Sequence, residues 1–299
     1  MAIFALASIP LAALMFYGIG RFFGQSADDP VVALLASDVW VYGTLISWTA
    51  WQITRSRIKV KAFLGRVPRN PKIWLLTAGI TVASFFFSLG CIPVVTYLLA
   101  LGAPGMLDYL LEGTDSFSES ATPILYTILT ALSLMILAPV IEEVVFRGIL
   151  MHRWAVKWSP GVAIIATSIV FGIVHDLNGF GAMVFGLVAG LLYFKTGSLL
   201  VPIFAHFLNN GIVFLYLLFN TAITRVMYPA QELVVVMAGL ILLVVTGPIL
   251  FAFARHSWPG CADTLPYFRN TRQKSDASPA DSRVYNDLVP GFETLTVAP

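Results

Sequence analysis

Eight apolar stretches punctuate the chain, at roughly 3–20, 31–53, 73–101, 123–151, 160–177, 180–195, 198–219 and 231–254. Each approaches the ~20 residues a helix needs to cross a bilayer, so the pattern predicts eight membrane-spanning helices. Stretch 180–195 is the shortest and carries Gly181, Gly186 and Gly190 at near-helical spacing, which predicts a buried helix closely packed by its neighbours. No positive region precedes the first stretch, so it reads as a helix and not as a signal peptide. From 257 onward Ser, Asp, Asn, Pro and Thr dominate and no apolar period survives. The expectation is a transmembrane domain over 1–256 followed by a disordered cytoplasmic tail over 257–299.

Composition agrees with an all-α polytopic membrane protein. Of the 299 residues, 58% are hydrophobic and only 11% charged, too few charges to cover a soluble surface. The net charge of +2 supplies no basic stripe for phosphates, which excludes nucleic acid as a partner and leaves the lipid bilayer. Cys91 and Cys261 stand far apart without metal-type spacing, so no disulfide framework or cysteine-based zinc site is expected. With the N-terminus inside, cytoplasmic segments collect sixteen Lys and Arg, or fifteen with Arg147 counted inside the membrane domain, against two, Arg21 and Arg225, on the other side, where an acidic loop holds Asp108, Glu112, Asp115 and Glu119. By the positive-inside rule this places both termini in the cytoplasm. Segment 55–72 alternates basic residues with Ile58, Val60, Phe63, Leu64 and Val67, a pattern shared by a segment lying on an anionic leaflet and by a solvated loop.

Ionisable side chains inside such spans are costly and face a bundle interior or water, so each is a functional hypothesis. The fourth span carries Glu142, Glu143 and Arg147, the fifth Phe171 and His175, and the seventh His206, Asn209 and Asn210. His152 and His256 fall at the interface and the start of the tail and are read as structural. Glu143 and Arg147 are i,i+4 neighbours in the favourable order and can neutralise each other. Glu142 points ~100° away around the helix, and an unpaired carboxylate is tolerated only beside water or donors. His206 with Asn210, and Phe171 with His175, each share one helix face. At ~1.5 Å per residue, Glu142, His175, His206 and Asn210 lie near the middle of a ~30 Å core, a depth at which they converge on one hydrated pocket. Polar pairs also hold helices together, so helix glue stays open for His175 or Asn210 taken alone. Asp176 reads as a turn or cap residue near the end of the fifth span, and Asp38 as reaching the outer interface.

These residues carry a resemblance. Glu142-Glu143-Val-Val-Phe-Arg147, Phe171-Gly-Ile-Val-His175 and His206-Phe-Leu-Asn-Asn210 resemble the EExxxR, FxxxH and HxxxN motifs, in order, of the CPBP intramembrane endopeptidases. That family includes type II CaaX prenyl proteases and bacteriocin-processing or immunity (Abi) proteins. The likeness covers roughly 139–211, inside a peptidase core of about 123–219. It implies a metal-free glutamate-dependent peptidase in which Glu142 and His175 activate a water and His206 and Asn210 form an oxyanion site. Glu143, Arg147 and Phe171 support them. The residue types suit that chemistry, since a carboxylate and an imidazole can move a proton from water and a His and an Asn one turn apart can donate to an oxyanion.

Two alternatives stay open at this point. Glu142, His175 and His206 also match a two-His, one-carboxylate zinc set, although no HExxH is present. A non-catalytic immunity or scaffold protein is the other. A transporter fits less well, because the polar residues cluster at one site and no repeat relates the two halves. The implied substrate is a peptide or membrane protein, lipidated or not. Short loops and the absence of a targeting sequence point to a bacterial inner membrane.

Overall fold

The structure, a computed structural model, describes residues 18, 29–111, 120–175, 178–219, 233–260 and 263–275. Among them there is no strand, and the helices are α1 (Pro30–Arg55), α2 (Val60–Leu64), α3 (Pro71–Gly102) and α4 (Pro104–Leu111), then α5 (Pro123–Lys157), α6 (Pro160–Ile173), α7 (Gly179–Thr196), α8 (Leu200–Phe219), α9 (Leu233–Ser257) and α10 (Pro266–Ser275). α1, α3, α5, α7 and α9 are long and apolar enough to cross a membrane, and α6 and α8 are shorter apolar helices. Seven of the eight predicted spans are thus helices of an all-α polytopic membrane protein. The first, at 3–20, lies outside the described residues.

Three spans begin with the same local chemistry. Asp29, Asn70 and Ser159 each accept a hydrogen bond from a backbone N–H of the first turn, and proline follows at the first helical position in every case. Asp29 does more. Its carboxylate also accepts from Ser120 Oγ at 3.0 Å and Ala121 N at 2.8 Å, pinning the start of α1 to the start of α5. Burial pushes its carboxyl up, but the bonds from Ala121, Val31 and Ser120 outweigh that and hold it below the ordinary carboxylate range.

α7 lies at the centre: 61% of its apolar window is buried, against 17–39% for the other four long helices. Its glycines permit this. A Cβ on Gly172 of α6 would sit 2.5 Å from the Gly179 carbonyl oxygen, and one on Gly186 would press on Ser168 and Arg147 at 3.2 and 3.3 Å. α3 and α9 cross as closely, at Gly90 and Gly239, the small-residue contact that lets membrane helices approach without a hydrophobic drive.

The sequence reading fails at one end of the bundle. Residues 257–260 and 263–275 are not a disordered tail: α10 folds back, with Tyr267 buried in it and Leu265 buried just before it. Arg269 Nη2 donates to Phe194 O at 3.1 Å, and Asn270 Nδ2 donates to Ala62 O at 2.7 Å and Gly197 O at 2.8 Å. Those carbonyls belong to the C-terminal ends of α2 and α7, which have no intrahelical partners, so polarity that looked like solvation supplies helix caps. Residues 276–299 lie outside the described residues. Segment 55–72 is tied to the bundle at α2. Phe63 is 1% exposed, its carbonyl accepts from Tyr193 Oη at 2.8 Å, and Leu64 O accepts from Leu199 N at 3.0 Å. At Gly197 the chain turns with φ +68°, the left-handed cap that glycine adopts without strain.

Replacing Asn270 by Leu removes both caps at once. The expected result is a loss of about 1–3 kcal/mol, read as a lower unfolding midpoint in detergent together with faster proteolytic cutting between 257 and 275. Unchanged protection would mean that the apolar contacts of Leu265 and Tyr267 dock α10 alone.

Candidate active site

α5 is not a plain α-helix. Two π-helical segments, Ser133–Leu137 and Val144–Leu150, flank the short α-helical piece Ala138–Glu143, so both glutamates sit where the hydrogen-bond register changes. Such π segments recur at functional sites. The expected pair forms there: Arg147 Nη1 donates to Glu143 Oε1 at 2.6 Å, with the side chains 1% and 0% exposed. Arg147 Nη2 donates to Gly186 O at 3.0 Å, and its guanidinium lies 4.7 Å from the centre of the Phe171 ring.

His206 joins this buried pair. Its Nδ1 lies 3.0 Å from the same Glu143 Oε1, and since a carboxylate oxygen accepts, Nδ1 carries the proton. The ring edge meets Phe171 and Phe185 at 5.7 and 5.2 Å between centroids. Phe171 is therefore the apolar hub: Arg147, His206 and His175 all touch its faces or edges.

His175 is not on the helix as expected. α6 ends at Ile173 and His175 stands in the following turn, yet it keeps its bond to Phe171: the rings stack at 4.3 Å and Nδ1 lies 2.6 Å from Phe171 O. A carbonyl can only accept, so Nδ1 again carries the proton and Nε2 presents a lone pair. That Nε2 faces Glu142 Oε2 at 3.9 Å, the side chains being 31% and 15% exposed. The separation is too long for a hydrogen bond and suits a shared small ligand such as water.

Asn210 stays one turn from His206 on the same helix, and one hydrogen of its Nδ2 goes to Leu134 O at 2.8 Å, a carbonyl in the π segment at 133–137. One amide hydrogen of Asn210 remains for another acceptor. Asp38 does not merely reach an interface: its Oδ1 accepts from Ser133 Oγ at 2.9 Å. Asp176 lies outside the described residues. Of the alternative zinc set, His206 has its Nδ1 on Glu143, and among the described residues no group of three His, Cys, Asp or Glu side chains is drawn together closely enough to hold a metal ion.

Sequence reasoning missed two side chains at the contact of α1 with α5. Tyr42 of α1 packs against the core cluster that holds Ile141 and Val145, and Ser133 donates to Asp38 of α1. Both are uncharged residues in apolar runs, and neither carries a motif signal.

The fold and site define a polytopic α-helical membrane protein with a buried Glu/Arg/His cluster, and the comparisons narrow the class. Residues 124–212, from α5 into α8, match the model of the type II CAAX prenyl endopeptidase Rce1-like family. That segment of the chain is similar to this family, in line with its three motifs. Among curated relatives, the protein named "Putative membrane peptidase YdiL" of Bacillus subtilis (strain 168) is 34% identical over 125 residues, 39% of this chain and 50% of the relative. The "Membrane-embedded CAAX protease MroQ" of Staphylococcus aureus (strain USA300) is 38% identical over 93 residues, 28% of this chain and 38% of the relative. An Escherichia coli protein named "Uncharacterized 24.3 kDa protein" is 30% identical over 100 residues, 31% of this chain and 45% of the relative. The chain thus spans half or less of the length of each. No solved structure matches it.

The buried pair and Glu142 should respond differently to mutation. Arg147→Ala leaves Glu143 buried and uncompensated, and is expected to cost about 3–5 kcal/mol, seen as a large fall in folded, detergent-extractable protein. Glu142→Gln keeps shape and loses no hydrogen bond at Oε2, which has none, so its melting temperature should stay near wild type. Equal losses for both would contradict this division of roles.

Proposed function

We propose that this protein is a membrane-embedded endopeptidase in which a water between Glu142 and His175 attacks a peptide carbonyl. The observation that carries the reading is the 3.9 Å gap between Glu142 Oε2 and His175 Nε2, set against a buried ion pair within the Rce1-like segment. Nδ1 of His175 is committed to Phe171 O, so the free lone pair at Nε2 and the carboxylate each accept one water hydrogen. The water oxygen bonds to the carbonyl carbon while its proton passes to Glu142, which then returns it to the departing amine nitrogen. His206, held through Nδ1 by Glu143, donates to the oxyanion from a protonated Nε2, and the carboxylate supports that charge. The remaining amide hydrogen of Asn210 is the second donor. These roles need no metal. The substrate is a peptide or membrane protein, and the names of the family and of MroQ add lipidated CAAX termini as a class to try. The basic end of the bundle, where α2, α10 and the α7–α8 turn meet, faces the cytoplasm, and the membrane is a bacterial inner membrane.

The test compares protein termini in membranes holding wild type with those holding Glu142→Gln at equal expression. Termini found only with wild type are the expected result, with cleavage reduced on the order of 100-fold or more in the variant. Identical profiles under conditions where the protein has a phenotype would replace the peptidase with a non-catalytic immunity or scaffold protein. Cleavage is also expected to survive exhaustive chelation, and its loss with recovery on adding zinc would reinstate a metal mechanism.

A further inference from the structure

We infer that the exposed cations of segment 57–72, namely Arg57, Lys61, Arg66, Arg69 and Lys72, form a fixed surface for anionic phospholipid headgroups at the basic end of the bundle. The inference does not depend on the peptidase reading.

Four helices mark where lipid tails end on this side. α1 exposes Trp51 and, one turn on, Arg55, whose guanidinium lies 5.0 Å from the indole centre. α5 ends on exposed Val156 and Lys157, with exposed Trp158 directly after them. α9 exposes Phe251 and then Arg255. α3 runs the other way, from exposed Lys72 to exposed Leu75 and Leu76. On each helix an exposed apolar side chain and an exposed cation stand within about one turn, ~6 Å or less. That is the order expected where tails give way to headgroups, the level at which tryptophan is enriched.

Segment 57–72 lies at that level and is not a free loop. Lys59 N donates to Tyr267 Oη at 3.2 Å, Trp74 Nε1 donates to Pro68 O at 2.9 Å, and the carbonyls of Phe63 and Leu64 accept from Tyr193 and Leu199. On this pinned backbone Ala62 and Phe63 are buried, while Lys61, Arg66, Arg69 and Lys72 are exposed together with Val60 and Val67. A solvated loop accounts for the cations but not for two exposed valines held among them. A headgroup layer takes both, the cations meeting phosphates and the valines dipping toward the acyl chains. Arg57 adds a backbone argument: its φ is +46°, the left-handed region, where glycine would turn the chain from α1 to α2 without strain. An arginine at that turn points to a use for its charge.

The charges are also unanswered from within. Segment 55–72 contains no Asp or Glu, and Lys61, Arg66, Arg69 and Lys72 have no carboxylate partner among the described residues. The one described carboxylate at this end, Asp263, accepts from Gly260 N at 2.8 Å. Cations on any short loop satisfy the positive-inside rule. Cations on a backbone already bonded into the bundle go further, because they meet headgroups without the entropy cost of ordering the segment.

The experiment reconstitutes the full-length protein in vesicles of phosphatidylcholine and phosphatidylglycerol at about 7:3. Bromine is placed on the acyl chains of the phosphatidylglycerol or of an equal amount of the phosphatidylcholine. Quenching of tryptophan fluorescence then reads which lipid gathers around Trp51, Trp158 and Trp258. At about 20 mM salt, brominated phosphatidylglycerol is expected to quench roughly two- to fivefold more effectively, and about 500 mM salt should bring the two near parity. Lys61→Gln, Arg66→Gln and Arg69→Gln together should remove most of the preference. Lys157→Gln, Lys195→Gln and Arg255→Gln together, an equal loss of charge at the same end, should keep about half of it or more. Equal quenching by the two lipids in wild type at low salt overturns the inference and leaves this face to an acidic protein. So does a preference that survives high salt, because headgroup charge is then not its cause. Equal losses in the two triple variants overturn it too, since the net charge of the whole end would then attract the lipid. Should a triple variant fail to fold, the wild-type salt series decides alone.

Discussion

Burying an arginine and a glutamate inside a membrane domain is the constraint around which this structure is arranged. Arg147 and Glu143 are 1% and 0% exposed, and desolvating both ions costs several kcal/mol each, offset only by the partners they find; Arg147 Nε and Glu143 Oε2 find none among the described residues. Their remaining valences dictate the neighbours. The guanidinium needs a carbonyl, so α7 must come close, and Gly186 is the residue that lets it. It needs an apolar face that tolerates charge, which Phe171 of α6 provides. Glu143 needs a second donor, and His206 of α8 supplies one. Three helices are thus registered against α5 by one ion pair. Glu142, the next residue back, is turned out of this network toward His175 and α1 and keeps an oxygen with no hydrogen-bond partner.

The two π segments of α5 make that division possible. A regular helix would carry the 138–143 face straight on into both flanks. Widening the helix at 133–137 and again at 144–150 shifts the side-chain register on each side and loosens the carbonyl pairing. Asn210 takes the carbonyl of Leu134 on one side. On the other, Arg147 O accepts from His152 Nδ1 at 3.0 Å. Side chains of α8 and of α5 itself offset the cost of the irregular backbone.

The seven described spans, the Glu143–Arg147 pair and the likeness to the matched family are legible in the sequence, because each depends on local spacing: length for a span, i,i+4 for the pair, fixed intervals for the motifs. What fails depends on chain geometry that spacing does not encode. The bond from Asn210 to the carbonyl of Leu134 depends on the π segment at 133–137, which spacing does not announce. Spacing also extends a helix through His175, although α6 stops two residues earlier. Tyr42 is an aromatic in an apolar run, indistinguishable from packing until α1 is set against α5. The error at 257–275 has a different cause: composition measures the ability to form a core, and α10 needs little core because Arg269 and Asn270 serve the open ends of other helices.

That last contact reaches further than the surface. The N–H of Tyr267, in the first turn of α10 and without a partner in its own helix, donates to His152 Nε2 at 3.2 Å. The Nε2 atom must then be unprotonated, so Nδ1 holds the proton and gives it to Arg147 O. Protonating His152 at Nε2 would break the first of these bonds and leave the second. His152, read from sequence as structural, therefore joins the end of the described chain to the backbone of the arginine that organises the site. The packing is consistent with this order of dependence: the His152 ring meets Tyr193 and Tyr267 at 5.5 and 6.1 Å, and Tyr193 bonds in turn to Phe63 O. The polar segment after the last span closes the basic end of the bundle through side chains that also cap helices, so fold and site share one set of hydrogen bonds there.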